Sequence, residues 1–595
     1  MLISSIVLAS LSAIPQGPNP NNHETTSQPT AEFIFKTLSV QEMIGRSRAP
    51  QPPRLGSLAW SDDGANITHL LEGWKGDRVL TSEEVLLDFL HESSTFDFDS
   101  VPDFTLREAG GALMVTGSPD HVKTIENSLA HLRAALVQRI RVQANLYRIP
   151  SARTLPALSA ANQTASLTEG LQLIWSGTSV CRAGNQTTLS QERYSSYLRD
   201  VDVEVAQGAR TGDPVVESAF EGVRLIVEPH VMTGTEDLTL FCQFALGERN
   251  GPFASRSTGV ADLPSVDVPD LDICSGTFSG RVTDGGALLL SLQGADEAGG
   301  NMLLAVNVKR LTQMPATSND TTFFPISAFT SKSMRRWVTS DTDAATSNPP
   351  TPLRMSVSET TKHSHGLNTA KEIEALILEM TGVGDENGEF ALELAGHLAI
   401  RAPQARRDAI RSLLVGLQDR WLRTVSMTVE TELLAEADSG SVFPASAIQT
   451  TTASDRKLHA VTFPALLGRS HVLVKGRETT AIHDFQVEIA QEKSIADPVL
   501  TSLFNGVICS TFPYRVEEGI GAKLDLSIHH APSPTRRATE LADGGDLYLE
   551  QINTFEAMLN GKIDVASDLQ LGLGPSVEIG GNHYRSRNVL RATLN

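Results

Sequence analysis

The sequence predicts an α+β protein of two tandem modules, each a small αββα unit followed by an antiparallel β domain. Three observations carry this prediction. First, the chain contains itself twice: Asp200–Pro229 laid over Asp484–Pro513, at a constant offset of 284, gives thirteen identities in thirty ungapped positions. Among them are Asp213-Pro214-Val215 over Asp497-Pro498-Val499 and Phe220, Gly222, Val223 over Phe504, Gly506, Val507. Second, both copies open with apolar residues at helical spacing on either side of a glycine turn. Third, the period then changes to two, with no helical pattern of any length interrupting the strands.

Residues 1–14, MLISSIVLASLSAI, are apolar and end before Pro15, with the length of a secretory signal core and too short to cross a bilayer. A polar Pro/Asn/Gln/Thr linker over 15–31 follows. The first α/β unit spans 32–137. It has a helix over Glu83–Leu90, a strand over Thr105–Arg107, a turn at Gly110-Gly111 and a strand over Ala112–Thr116. A second helix starts after Ser118-Pro119, which suit a cap and first turn, and carries Val122, Ile125, Leu129 and Leu132 on one face. The β domain of the first module, 138–313, opens with Ile140, Val142, Ala144 and Leu146 alternating with polar residues, a half-buried strand. Val201, Val203 and Val205 alternate in the same way. A Ser/Thr/Pro-rich linker over 314–369 includes the start of the second module. The second α/β unit, 370–420, repeats the helix at Ala370–Met380, the strands at Ala391–Leu394 and His397–Arg401, and a helix with Ile410, Leu413, Leu414 and Leu417. The second β domain, 421–595, alternates at Phe485, Val487, Ile489 and at Leu524, Leu526, Ile528, and ends with Leu569 and Leu571.

Composition narrows the function. A net charge of −21 repels phosphate backbones and anionic lipid, and 5% aromatic residues leave little for base stacking. No GxxxxGK[ST], GxSxG or HExxH occurs: His91-Glu92 is followed by Ser93-Ser94-Thr95. Gly572-Leu573-Gly574 runs into Pro575, which lacks the N–H a phosphate cradle needs. His363-Ser364-His365 and His529-His530 are the nearest approach to metal ligands, and no partners converge on them in sequence. Asp97 and Asp99 flank Phe98 in the manner of an exposed strand edge rather than a calcium loop. The repeated Asp213-Pro214 and Asp497-Pro498 are read as turn initiators. Asp200 with Glu204, and Asp484 with Glu488, lie on one strand face about 13 Å apart, too far for a glycosidase pair. No catalytic, cofactor-binding or metal-binding residue is assigned, no cofactor is expected, and the chain is not read as an enzyme. Cys181, Cys242 and Cys274 leave their pairing open in an oxidising compartment, and Cys509, aligned with Leu225, is expected buried and inert.

The run GGALMVTGSPDHVKTIENSLAHLRAALVQRIRVQANLYRIP (110–150) resembles the junction between the last N domain and the β domain of secretins, the outer-membrane ring proteins of type II and III secretion and type IV pili. Phe220-Glu221-Gly222-Val223 with the strand to Pro229, and Val282-Thr283-Asp284-Gly285-Gly286-Ala287-Leu288-Leu289-Leu290, are similar to two further strands of that family. The resemblance covers about half the chain, in two patches per module. It implies a ring-building N domain in each module and a homo-oligomeric ring with a gated β-barrel. Two departures weigh against an outer-membrane barrel here. Leu303–Leu311 is followed by Gln313-Met314-Pro315 rather than the family's Pro-rich segment, and this chain has two such units where a secretin carries one β domain. The expected role is a secretin-like envelope structural protein of the periplasm or outer membrane. Its expected partners are copies of itself or other secretion proteins, with no nucleic acid and no transmembrane helix. The alternative is a soluble extracytoplasmic scaffold that reuses the module without forming a pore.

Overall fold

The computed structural model describes residues 34–40, 43, 46–47, 78–79, 82–150 (without 95 and 110), 168–256 (without 207–208), 265–294, 301–311, 321–330, 336–340, 355–359, 369–435 (without 385–387), 456–530 (without 491–492 and 517–518), 535–538, 546–549, 553–563, 568–579 and 582–594. The expected signal segment 1–14, the linker 15–31 and the His363/His365 pair lie outside them. The fold is α+β and mostly β. In chain order the first half comprises β1 (Ile34–Ser39), α1 (Glu83–Ser93), β2 (Thr105–Ala109), β3 (Ala112–Gly117) and α2 (Pro119–Leu136). It continues with β4 (Arg139–Ile149), β5 (Gln172–Arg182), β6 (Thr187–Ala206), β7 (Ala209–Val231), β8 (Leu238–Arg249), β9 (Asp270–Val282), β10 (Ala287–Gly294) and β11 (Asn301–Arg310).

The second half repeats the order. It has β12 (Thr321–Pro325), α3 (Ser327–Thr330), α4 (Ala370–Thr381), β13 (Phe390–Leu394), β14 (His397–Arg401) and α5 (Gln404–Trp421). Then come β15 (Thr424–Ala435), β16 (Arg456–Leu466), β17 (His471–Ala490), β18 (Lys493–Val516), β19 (Gly519–His530), β20 (Asn553–Ile563), β21 (Asp568–Ile579) and β22 (Asn582–Leu594).

Each small unit is a three-stranded sheet, β1-β3-β2 or β12-β14-β13, packed on two helices. The first strand of each sheet was not expected. It is short, and its partner lies about eighty residues further on, so local alternation carries little signal. The stretch 314–369 therefore holds β12 and α3 as well as linker. Ser118 caps α2 by accepting the His121 N–H (3.4 Å), with Pro119 at the first position. The β2–β3 turn is fastened by Glu108, whose Oε1 accepts the Gly111 N–H at 2.6 Å; Glu393 does the same for Gly396 at 2.8 Å. Phe96 and Phe98 do not form an exposed strand edge. Phe98 opens a 3₁₀ turn (Phe98–Ser100) in which Asp97 accepts the Asp99 N–H, and the two rings pack with Phe104.

The β strands form two eight-stranded antiparallel sheets, β20-β19-β18-β17-β9-β8-β7-β6 and β21-β22-β15-β16-β10-β11-β4-β5. Neither sheet belongs to one half of the chain. The core between them is one apolar cluster running through both halves, from Ile140, Val142, Leu225 and Leu240 to Met427, Phe463, Leu524 and Leu590. Val282–Leu290, read as one strand, is two: β9 ends, the chain turns at Gly285 (φ 81°), and β10 enters the opposite sheet. Asp284 holds that turn by accepting the Arg310 N–H at 2.7 Å.

Asp213-Pro214 and Asp497-Pro498 do not initiate turns. They lie inside β7 and β18, in long hairpins with β6 and β17. Both ladders slip at one equivalent place, between Leu198 and Asp200 and between Ile482 and Asp484, next to the two prolines. A proline cannot donate to a ladder, so it is accommodated where a bulge already breaks the pairing. No helix among the described residues is long and apolar enough to cross a membrane.

Candidate interface: the junction between the halves and the open sheet edges

Strand β9 of the first half pairs with β17 of the second over seven residues, from Asp270 opposite Thr479 to Gly276 opposite Leu473. In the other sheet β10 pairs with β16, from Ser291 opposite Thr462 to Gly294 opposite His459. Because the strands of the two halves lie in the same order across each sheet, the contact is head to tail: the strand at one end of the first set meets the strand at the opposite end of the second. The strands that end each sheet among the described residues are therefore complementary. Strands β6 and β5 stand where β17 and β16 stand, and β20 and β21 stand where β9 and β10 stand.

Side chains and backbone fasten the junction. The Asp270 carboxylate accepts from the Arg477 guanidinium through both oxygens. Arg281 donates to Asp237 and to Asp419, each at 2.7 Å, and its backbone N–H donates to Thr424 Oγ1 at 2.7 Å. Thr277 and Ser279 of β9 accept the backbone N–H groups of Val472 and Leu466. The guanidinium of Arg469, 1% exposed, donates to the Ala328 and Phe329 carbonyls of α3 at 2.9 Å each. It also lies 5.3 Å from the Phe241 ring of β8. The small units meet in the same sense. Phe89 of α1 packs on Phe323 of β12 with ring centroids 5.6 Å apart, and Arg401 donates to the Glu92 carbonyl.

One constellation at this junction has the residues of a hydrolytic triad and was invisible in sequence, since Ser327 lies about a hundred residues from Glu228 and His230. Ser327 Oγ lies 2.8 Å from His230 Nδ1, and His230 Nε2 lies 2.9 Å from Glu228 Oε1. The serine and the acid occupy the opposite ring nitrogens from those of a working triad, and the imidazole is fully buried, closed to substrate. The group fastens β7 to α3. Among the described residues no three metal-ligating side chains converge. Asp97 and Asp99 sit in the 3₁₀ turn, and His529 and His530 end β19. Asp200, Glu204, Asp484 and Glu488 fall in the long hairpins.

The cysteines are all free thiols, so the open question of pairing among Cys181, Cys242 and Cys274 resolves to none. Cys242 and Cys274 lie on neighbouring strands but four rungs apart, opposite Phe278 and Leu246. Burial raises the Cys509 and Cys242 thiols far above their ordinary range and Cys181 to about 12.

Burial also pushes His471 down to about 3 and His397 to about 4. An exposed imidazole takes up its proton near pH 6.5, so below that pH the unfolded chain binds more protons than the folded one. Stability is full above pH 6.5 and falls as pH drops toward 4. By pH 5 each histidine is expected to cost about 2 kcal/mol. The urea midpoint should fall between pH 7 and pH 5, and His471→Gln should remove part of that fall; an unchanged midpoint would refute both assignments.

No protein-family profile matches the chain, and no curated protein matches it. Among solved structures the chain is similar to the secretin-domain β-barrel of InvG from the Salmonella injectisome, at 12% identity and a TM-score of 0.22, over 49% of this chain and 90% of that one. It is similar to the type II secretion secretin GspD of E. coli K12 at 7% identity and a TM-score of 0.19, over 95% and 90%. The type IV competence pilus secretin PilQ of V. cholerae follows at 11% and 0.20, over 38% and 75%.

Proposed function

We propose that the chain is a secretin-like structural protein of a bacterial cell envelope, made of two tandem modules, that works by assembling with copies of itself. The observation that carries this reading is the head-to-tail junction. Two equivalent sets of strands fuse into continuous sheets and leave complementary edges at both ends of each sheet. A heterologous contact of this kind closes into a ring or extends into a fibre, and does not stop at two copies. The sequence patches at 110–150, 220–229 and 282–290 support the family tie, and the apolar start of the chain supports an extracytoplasmic place. The reading divides the chain at about residues 137, 313, 369 and 420, and gives it a non-enzymatic role in a secretion or pilus channel.

Electron microscopy of the purified full-length chain, together with sedimentation at high concentration, tests it. Rings or long multimers are expected; a strictly monomeric species would overturn the reading. A second reading, a soluble extracytoplasmic scaffold, is favoured by the fusion of two modules within one chain, because a fused pair already satisfies one junction without any partner. Release of the protein from envelopes by a salt wash would select it.

A further inference from the structure

We infer that the contact between chains repeats the contact within the chain strand for strand, so that β20 of one copy adds to β6 of the next in a register that can be named. The inference rests on the self-assembly reading and gives it a partner surface. A single row of facing residues crosses the whole sheet: Ser190, Arg224, Ala245, Ser275, Val474, Ile508, Ser527 and Glu556. Its first four members belong to the first half and its last four occupy the same strands of the second. The step from Ser275 to Val474 is the junction. The same step taken from Glu556 lands on Ser190 of another copy. Glu192 then faces Thr554, and Leu189 faces Ala557.

Beside β6 lies a groove lined by Arg139, Cys181, Arg182, Asn185, Gln186 and Thr187. By the matched ladders these residues stand where Thr424, Ala465, Leu466, Arg469, Ser470 and His471 stand in the second half. There the groove is filled. Ser279 accepts the Leu466 N–H and meets His471, and the backbone of Arg281 donates to Thr424. The counterparts of Ser279, Gly280 and Arg281 on β20 are Asn560, Gly561 and Lys562. The glycine between them recurs for a reason visible at Gly280, where a Cβ would come within 2.5 Å of Leu288 Cδ1. The occupant of the groove is thus residues 558–563 of a second copy.

The small units carry the same complementarity. Phe35 (64% exposed) and Met114 (39% exposed) face out of β1 and β3, on the sheet face that α1 covers in the second half. Leu376, half-buried on α4, stands where Phe89 stands on α1, and Met380 beside it is 62% exposed.

The two contacts differ in strength. The Arg281–Asp419 ion pair becomes Lys562 against Ala134, and Arg469 becomes Asn185. The contact between chains keeps the ladder and loses these charged fastenings, so assemblies come apart into whole chains. A chain enters the assembly as two consecutive positions, and every closed ring holds an even number of modules.

The experiment is disulfide trapping of the full-length chain. Facing Cα atoms in an antiparallel pair are about 4.5–5.5 Å apart, inside the range a disulfide spans. The double variant Ser190→Cys/Glu556→Cys, oxidised, should run as a ladder of covalent multimers on a denaturing gel, collapsing on reduction. The off-register pair Ser190→Cys/Met558→Cys and the unsubstituted chain should remain monomeric on that gel. Sedimentation of the same variants separates two failures. Multimers without the in-register cross-link, or a covalent dimer from Ser190→Cys alone, would overturn the register and leave self-assembly standing. A monomer in sedimentation for the unsubstituted chain as well would overturn both.

Discussion

Replacing Gly276 by valine is expected to cost about 3 kcal/mol and to open the junction between the halves of the chain. Gly276 sits on β9 at the last rung of its pairing with β17. A Cβ there would lie 2.5 Å from the Val472 carbonyl oxygen and 3.1 Å from the Leu473 Cα. Both are backbone atoms of the partner strand, so no rotamer change relieves the clash and the strand itself must move. Moving it also pulls on the Val472 N–H bond to Thr277 at 3.1 Å. The expected result is a lower urea midpoint and faster limited proteolysis, with fragments that separate on a sizing column. A variant that unfolds like the parent and stays intact under protease would mean that the two sheets are not continuous.

Arg469→Ala is expected to destabilise by a similar amount, about 3 kcal/mol, by a different route. The guanidinium is buried and serves two carbonyls at the end of α3, which has too few residues to satisfy them itself. Its removal strands both acceptors and empties the space over the Phe241 ring. Arg469→Lys should recover only part of the loss, because an ammonium does not reach as far as Nη2, which serves both carbonyls, and lacks the guanidinium carbon that lies 5.3 Å from the Phe241 ring. Unfolding curves for the three proteins at pH 7.5 check the order parent, lysine, alanine. If lysine matches arginine, charge alone matters and the reach and shape of the guanidinium do not.

Both substitutions address residues that reading the sequence passed over, and the reason is physical. Alternation placed β4 well, because it buries one face and leaves the other more open, and in β19 Ala522, Leu524 and Leu526 are buried as their spacing implies. Helical spacing with Ser118-Pro119 placed α2, and Ile410 and Leu414 are buried on α5 as their spacing implies. The repeated stretches Asp200–Pro229 and Asp484–Pro513 fall in the long hairpins β6–β7 and β17–β18. What local patterns do not encode is partnership. Strand β9 reads the same whether its neighbour is β8 alone or β8 and β17 together, so the fusion of the two β sets into shared sheets was illegible. The Asp-Pro pairs misled because proline punctuates most chains at turns, whereas here a bulge on the opposing strand accommodates it. Arg469, His230 and Ser327 carry no signal until the two halves meet.

The shared sheets also set an order of events during synthesis. Strands β4 to β11 lie before residue 311, while their partners β16 and β17 begin at residue 456. A chain made from its N-terminus can complete the first half-sheets while the second half is still absent, and β9 and β10 then present a finished edge. The second half need not find its own nucleus. It condenses on a template already in place, which relieves it of much of the loop-closure entropy that non-local strand pairing ordinarily costs. Once β20 and β21 are laid down, the outer strand of each sheet matches the strand that guided the second half. In the self-assembly proposed above, growth would then be the last step of folding, carried on by the next molecule.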